Sequence, residues 1–137
     1  MKELTVDAVP KSLRQIKAFV DAELAALDCP LDTRRQMDIA VDEVFGNIVH
    51  YAYSDAVGSV KLRFEAEQTP LAVTLTFLDS GIPFDPLQAE APDTSLAARE
   101  RAIGGLGIFV VKKLMDEVCY EYADGKNVLR LKKILAE

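Results

Sequence analysis

Glu43 and Asn47 are the first pair of residues whose types and spacing suggest chemistry. They lie four residues apart in a segment with apolar residues at helical spacing, so both are expected on one face of a helix. A carboxylate can act as a general base, and an amide oxygen is a hard ligand that suits Mg²⁺. A solvated polar stripe with a helix-stabilising contact between the two side chains would show the same spacing. His50, the only histidine, continues the stripe and is interpreted as a structural or hydrogen-bonding residue.

A glycine-rich segment ends a polar stretch and opens an apolar one; it consists of Gly104, Gly105, Leu106 and Gly107. Glycine loses more conformational freedom on folding than other residues, so such a run indicates that unusual backbone conformations are needed. The residues that follow, to Met115, predict a helix. A helix N-terminus offers unpaired N–H groups and the positive end of the helix dipole to an anion. A plain hinge before a helix would look similar, and both interpretations stay open at this point.

Asp79 and Gly81 form a third feature, because they stand where an apolar strand is predicted to end. A carboxylate at such a position can accept a hydrogen bond from an exocyclic amine, and a glycine beside it lets a planar ring approach closely. An ordinary Asp-x-Gly turn leading into Pro83 is the alternative.

The elements that must position these residues follow from the periodicity of the sequence. Strands are expected at 4–9, 60–66, 71–78, 118–122 and 128–131. Helices are expected from Ser12 to before Cys29, from Asp32 or Thr33 to near 53–55, and from about 106 to 116. This order predicts an α+β fold, a two-layer α/β sandwich whose mixed, mostly antiparallel sheet carries helices on one face.

Composition bounds the possible functions. With 137 residues, half of them hydrophobic, the chain is expected to form a single domain, 1–137, with a substantial core. No apolar run reaches the roughly 18 to 20 residues that cross a membrane, and no signal peptide is seen, so a cytoplasmic location is expected. The net charge of −6 argues against direct nucleic-acid binding. Cys29 and Cys119 are expected to be reduced and unremarkable.

Taken together, the three features resemble the N, G1 and G2 boxes of the Bergerat-type (GHKL) ATPases, the superfamily of gyrase B, Hsp90, the histidine kinases and MutL. Within that superfamily the chain is most similar to the bacterial anti-sigma-factor serine-protein kinases. The segments that carry this resemblance are 79–86 (DSGIPFDP), 104–117 (GGLGIFVVKKLMDE) and 124–131 (DGKNVLRL).

The resemblance implies a role for each residue. Asn47 would coordinate the Mg²⁺ that bridges the nucleotide phosphates, and Glu43 would activate the attacking hydroxyl as general base. Asp79 would accept the adenine amino group, with Gly81 giving the ring room. The glycine-rich segment 104–107 would lie against the phosphates of ATP.

The resemblance also implies an ATP lid at about 86–104, a segment in which no regular periodicity is visible. Such a segment is expected to order over the bound nucleotide. The lid carries Arg99 and Arg101. Either arginine would be able to meet the γ-phosphate, although exposed lid arginines are more often only solvated.

The implied function is that of an ATP-dependent serine/threonine-protein kinase that acts as an anti-sigma factor. It would use ATP and Mg²⁺ to phosphorylate an anti-sigma-factor antagonist of STAS fold, and would bind a sigma factor as its second activity. A homodimer is implied as well. The alternative is a nucleotide-binding regulatory module on the same fold that controls a partner without phosphorylating it.

Overall fold

The computed structural model describes residues 1–53, 58–88 and 105–136. Its strands are β1 (Lys2–Asp7), β2 (Ser59–Gln68), β3 (Leu71–Asp79), β4 (Glu117–Ala123) and β5 (Lys126–Ala136). Its helices are α1 (Leu13–Ala26), α2 (Leu31–Tyr51) and α3 (Gly105–Leu114). Single 3₁₀ turns occur at Pro10–Ser12 and Pro86–Gln88. Within the described ranges, no helix is long and apolar enough to cross a membrane.

The strands form one five-stranded sheet in the order β1-β2-β3-β5-β4. Its pairings are antiparallel, from β1 with β2 to β4 with β5. The α+β fold class is therefore confirmed, with an antiparallel rather than a mixed sheet in the described residues. The three helices pack on one face, and their apolar residues form a single core with the inward residues of the strands. The other face carries cross-strand ion pairs such as Arg63–Glu3, at 2.6 Å.

Helix α2 is the element on which the site depends. It begins at Leu31, one residue before the predicted start, because Pro30 precedes it with a φ of −58° that suits entry into a helix. Its core-facing stripe contains Met37, Val41, Val44 and Ile48, all of them buried as the periodicity predicts. Burial of this stripe fixes the rotation of the helix about its axis. The neighbouring face, with Glu43 and Asn47, therefore lies at the border of the core and is partly buried.

Strand β3 lies at the centre of the sheet and ends in the second feature of the site. It is buried along most of its length, from Ala72 through Phe77 to Asp79. In the register of the sheet, Asp79 pairs with Asn127 at the start of β5. An acidic residue and an amide therefore meet, buried, at the adjoining ends of two interior strands, close to the C-terminal end of α2.

A pair of carboxyl groups lies between α1 and α2. Burial, and secondarily the hydrogen bond and negative charge of Asp21 on α1, raise the pKa of Asp38 on α2 to about 6. The other charges that face Asp38 are Lys17 on α1 and Asp42 on α2, which form an ion pair at 2.8 Å. Because an unfolded aspartate has a pKa near 3.9, the folded protein holds more protons than the unfolded chain between about pH 4 and pH 6.

Replacing Asp38 with asparagine is therefore expected to stabilise the protein only where the carboxyl would be ionised. The contribution of protonated Asp38 to the stability of the wild-type protein is fully present below about pH 4 and is lost as the pH rises through about 6. Since the pair is partly solvated, Asp38→Asn should raise the free energy of unfolding by about 1 kcal/mol at pH 8 and by much less at pH 4. Urea unfolding at both pH values measures this. An equal effect at pH 4 and pH 8 would contradict the assignment.

Candidate functional site

A cleft of about 430 Å³, part of it open to solvent, lies between the C-terminal half of α2 and the adjoining ends of β3 and β5. Its lining is mostly apolar with a few polar groups: Val44, Asn47, Ile48, Tyr51, Ala52, Phe77, Asp79, Ile82, Phe84, Pro86, Tyr120, Asn127 and Leu129. Apolar walls with a few fixed polar groups are typical of a small-molecule site.

Asp79 is the buried acid of this cleft, with 5% of its surface exposed. The backbone N–H of Gly81 and the side-chain amide of Asn127 both donate to its Oδ1, each at 2.9 Å. Hydrogen bonds from two donors to one oxygen hold the carboxylate plane in a single orientation. Its other oxygen, Oδ2, accepts neither of these bonds, and is the atom suited to receive a donor from a ligand.

Asn127 is the centre of the hydrogen-bond network and is itself 6% exposed. Besides Asp79, its Nδ2 donates to the carbonyl of Ile82 at 2.9 Å. Its Oδ1 accepts from the backbone N–H of Phe84, at 3.1 Å, and from the hydroxyl of Tyr120. Burial raises the pKa of Tyr120, so its hydroxyl keeps its proton as a donor at neutral pH. One side chain thus ties β5 to β3, to β4 and to the loop after Asp79.

The loop after β3 is seated on the end of α2. The N–H of Ile82 donates to the carbonyl of Ala52 at 2.9 Å, which satisfies a helix-end carbonyl. A Cβ on Gly81 would lie 2.2 Å from that same carbonyl oxygen, so only glycine allows this approach. Tyr53 adds a second clamp, since its hydroxyl accepts from the N–H of Ser80 at 2.9 Å and donates to Ser59.

The mouth of the cleft has an aromatic edge. The rings of Tyr51 and Phe84 stack with centroids 5.5 Å apart and an interplanar angle of 23°. Both side chains are well exposed, at 39% and 42%. This pair joins the end of α2 to the loop after β3 on the solvent side of the site.

Glu43 and Asn47 occupy successive turns of α2, and the structure places them differently. Asn47 lines the cleft itself. Glu43 lies one turn nearer the start of the helix and contacts the first turn of α3, where a Cβ on Gly107 would stand 2.0 Å from its Oε2. Successive turns of α2 therefore contact the cleft, at Asn47, and the first turn of α3, at Glu43.

The predicted site residues are thus largely brought together. Asn47 and Asp79 line one cleft, Gly81 forms its loop, and Glu43 lies with Gly107 beside it. Gly105 and Leu106 are the first residues of α3. Gly104, Arg99, Arg101 and all of the predicted lid after its first turn, Pro86–Gln88, lie outside the described residues.

Asn47 is the candidate metal ligand in the cleft. No group of three or more His, Cys, Asp or Glu side chains able to hold a metal occurs in 1–53, 58–88 and 105–136. Mg²⁺ in nucleotide sites takes one or two protein oxygens and completes its shell with phosphates and waters. The amide of Asn47 in the wall of the cleft is able to supply one such oxygen.

Sequence reasoning missed Asn127 and Tyr120. The Asp-Gly turn signal predicts that Asn127 belongs to the turn after Asp124, but it is the second residue of β5 and pairs with Asp79. Asparagine is depleted in strands, so a buried asparagine at this place is itself a signal. That signal becomes readable only once the pairing of β3 with β5 is known.

Comparison with known proteins identifies the family of the chain. The family model of the histidine kinase-like ATPase domain matches residues 6–133. The serine-protein kinase RsbW of Bacillus cereus is 30% identical over 110 residues, which cover 77% of this chain and 68% of that protein. The protein of the same name from Bacillus thuringiensis is 29% identical over the same shares of each chain.

Solved structures show the same fold. The RsbU and RsbW domains of a Mycobacterium tuberculosis protein match the whole chain with a TM-score of 0.62 and 18% identity, and this chain spans 33% of that structure. The Acinetobacter baumannii histidine kinase AdeS also matches the whole chain, which spans 69% of it, with a TM-score of 0.52 and 14% identity. The chain belongs to the histidine kinase-like ATPase family and, within it, to the serine-protein kinases of the RsbW type, as its resemblance to the anti-sigma-factor kinases indicated.

Proposed function

We propose that this protein is an ATP-dependent protein kinase that transfers the γ-phosphoryl group of ATP to a serine or threonine of a partner protein. The observation that carries the proposal is that the cleft and the first turn of α3 lie against successive turns of α2. A buried, oriented acid lies in the cleft at one end, with Asn47 in its wall, and a carboxylate beside a helix N-terminus lies at the other. Such an arrangement suits a ligand with a flat polar ring at one end and phosphates at the other.

Each residue then has a chemical role that its surroundings support. Asp79 would accept a hydrogen bond from the exocyclic amine of adenine through Oδ2, because its Oδ1 already takes the N–H of Gly81 and the amide of Asn127. A ring that offers a carbonyl at this position, as guanine does, would place an acceptor against a carboxylate and bind poorly. The site therefore favours adenine over guanine.

Asn47, in the wall of the cleft, would hold the metal. The first N–H groups of α3, at the other end, would bind phosphate oxygens. When bound, Mg-ATP supplies the phosphoryl group and the positive charge that screens the phosphates. Glu43 would take the proton of the attacking hydroxyl group. The oxygen of that hydroxyl group bonds to the γ-phosphorus as the bond to ADP breaks and ADP leaves. Phosphoryl transfer depends chiefly on positioning the reacting groups and neutralising charge, and the roles proposed for these residues are of those two kinds.

The proposed protein substrate is a small anti-sigma-factor antagonist of STAS fold, and a sigma factor is the proposed second partner. The support is membership of the RsbW-type kinases. A homodimer is proposed on the same basis.

The direct test is phosphoryl transfer in vitro. The purified protein is incubated with Mg-ATP and with an antagonist of STAS fold whose gene lies near that of the kinase. The mass of the intact antagonist is then measured by mass spectrometry. One added phosphoryl group on a serine or threonine is expected, with loss of transfer when EDTA removes the metal and poor use of Mg-GTP. An unchanged antagonist mass, with a folded protein that binds Mg-ATP, would refute the kinase proposal and favour the regulatory module.

A further inference from the structure

The first turn of α3 packs against α2 at Gly107, the third residue of its helix and a buried one. A Cβ at this position would lie 2.0 Å from Oε2 of Glu43, 2.8 Å from its Cδ and 3.3 Å from its Cβ. Non-bonded carbon and oxygen atoms do not approach to 2.0 Å. The carboxylate of Glu43 therefore occupies the space in which the side chain of any other residue would begin.

The atom that a methyl group would displace is the mobile end of a long side chain. The carboxylate can rotate away at little cost in folding free energy, since Glu43 is only partly buried. The contrast is Gly81, where the atom in the way is the backbone carbonyl oxygen of Ala52. A substitution at 107 is thus expected to leave the fold intact and to move the carboxylate.

We propose that Gly107 is a positioning residue for Glu43, because the absence of its side chain leaves the space in which the carboxylate lies against the first turn of α3. The role of Glu43 as general base rests on the proposed function, whereas its placement by Gly107 does not. This role of the missing side chain is separate from any contact between phosphates and the backbone N–H of Gly107. It predicts that rate and nucleotide affinity respond differently to the same substitution.

The placement can be tested without activity. In protein labelled with ¹³C at the glutamate Cδ, the Glu43 signal is assigned by its loss in Glu43→Gln, and its shift is compared between variants. Gly107→Ala is expected to move this signal. Gly46→Ala is the matched control, a glycine-to-alanine change in the helix of Glu43. Apart from its chain neighbours and the backbone of its own helix, the new Cβ has nothing within 4 Å, so the signal should stay in place.

Kinetics then separate positioning from binding. Gly107→Ala is expected to lower the single-turnover transfer rate by about 10- to 100-fold, since small misplacement of a catalytic group is costly, while the Kd for Mg-ATP stays within about twofold. Glu43→Asp shortens the side chain and withdraws the carboxylate from residue 107. In the Glu43→Asp background, Gly107→Ala should lower the transfer rate much less than it does in the wild-type background. A double-mutant cycle measures this coupling.

Several outcomes would overturn the inference. The first is a Glu43 signal that does not move in Gly107→Ala. The second is a loss of rate from Gly107→Ala that is the same with glutamate as with aspartate at position 43. A loss of Mg-ATP affinity as large as the loss of rate would show that residue 107 acts on the phosphates instead. Failure of Gly107→Ala to fold in both backgrounds counts against the inference, and folding only in the Glu43→Asp background counts for it. If the wild-type protein transfers no phosphoryl group, the proposed function fails while the carbon signal still decides the placement.

Discussion

Glu43→Gln is expected to lower the rate of phosphoryl transfer by about 10³-fold and to leave the binding of Mg-ATP nearly unchanged. Glutamine keeps the size of the side chain but cannot accept the hydroxyl proton, and general bases contribute about 10²- to 10⁴-fold to such reactions. Glu43 lies outside the lining of the cleft, so the adenine end of the site should not sense the change. Single-turnover transfer and equilibrium titration with Mg-ATP measure the two quantities.

The neighbouring acid offers a matched control. Asp42→Asn removes the same unit of charge from the same helix, but Asp42 faces α1 and pairs with Lys17, with 39% of its side chain exposed. Its transfer rate should stay within about twofold of wild type, since exposed ion pairs contribute little. A Glu43→Gln protein that transfers phosphate at a rate near that of wild type would remove Glu43 as the base. One that controls its partner normally without transfer would favour the regulatory module.

The sequence predicts best the burial of a single helix or strand, because the spacing of apolar residues within that element shows which face is buried. The stripe of Met37, Val41, Val44 and Ile48 defines the buried face of α2, and this alone predicts that Glu43 and Asn47 share another face. Strand β3 is likewise readable as a run of apolar residues and threonines before Asp79. Local periodicity reports burial directly, because it depends only on how one helix or strand meets the core.

What the sequence could not predict depends on contacts between distant parts of the chain. Asn127 lies 48 residues from Asp79, and its importance follows from the pairing of β3 with β5. The need for glycine at 81 arises from the end of α2, not only from a ligand. Likewise, the contact of Gly107 with Glu43 requires the packing of α3 on α2. None of these distances is encoded in local spacing.

The importance of Asn127 leads to the second large effect. Asn127→Asp is expected to destabilise the protein by about 3 kcal/mol at pH 7.5, although the two side chains have nearly the same shape. The donor that reaches Oδ1 of Asp79 at 2.9 Å is lost, and a second carboxylate takes its place at a site where both residues are at least 94% buried. An uncompensated buried charge typically costs about 3–5 kcal/mol.

The pH dependence of this variant has a definite sign. Two buried carboxyl groups at hydrogen-bond distance would share one proton, so the folded state of Asn127→Asp would hold a proton that the unfolded chain releases above a pKa of about 3.9. Its stability should therefore approach that of wild type near pH 4 and decline as the pH rises. Urea unfolding of both proteins at pH 4 and pH 7.5 measures this difference. A constant difference across that range would show that lost hydrogen bonds, not charge, cause the effect.

Exchanging the two side chains separates folding from ligand recognition. The double variant Asp79→Asn with Asn127→Asp again pairs one amide with one carboxylate, so most of the lost stability should return. The carbonyl of Ile82 loses its donor from residue 127, which limits the recovery. The carboxylate would now stand on β5, with the amide at the position proposed to face adenine, so Mg-ATP binding should stay weak. Recovery of nucleotide affinity along with stability would mean that Asp79 contributes to the fold alone, and the adenine contact would have to be sought elsewhere in the cleft.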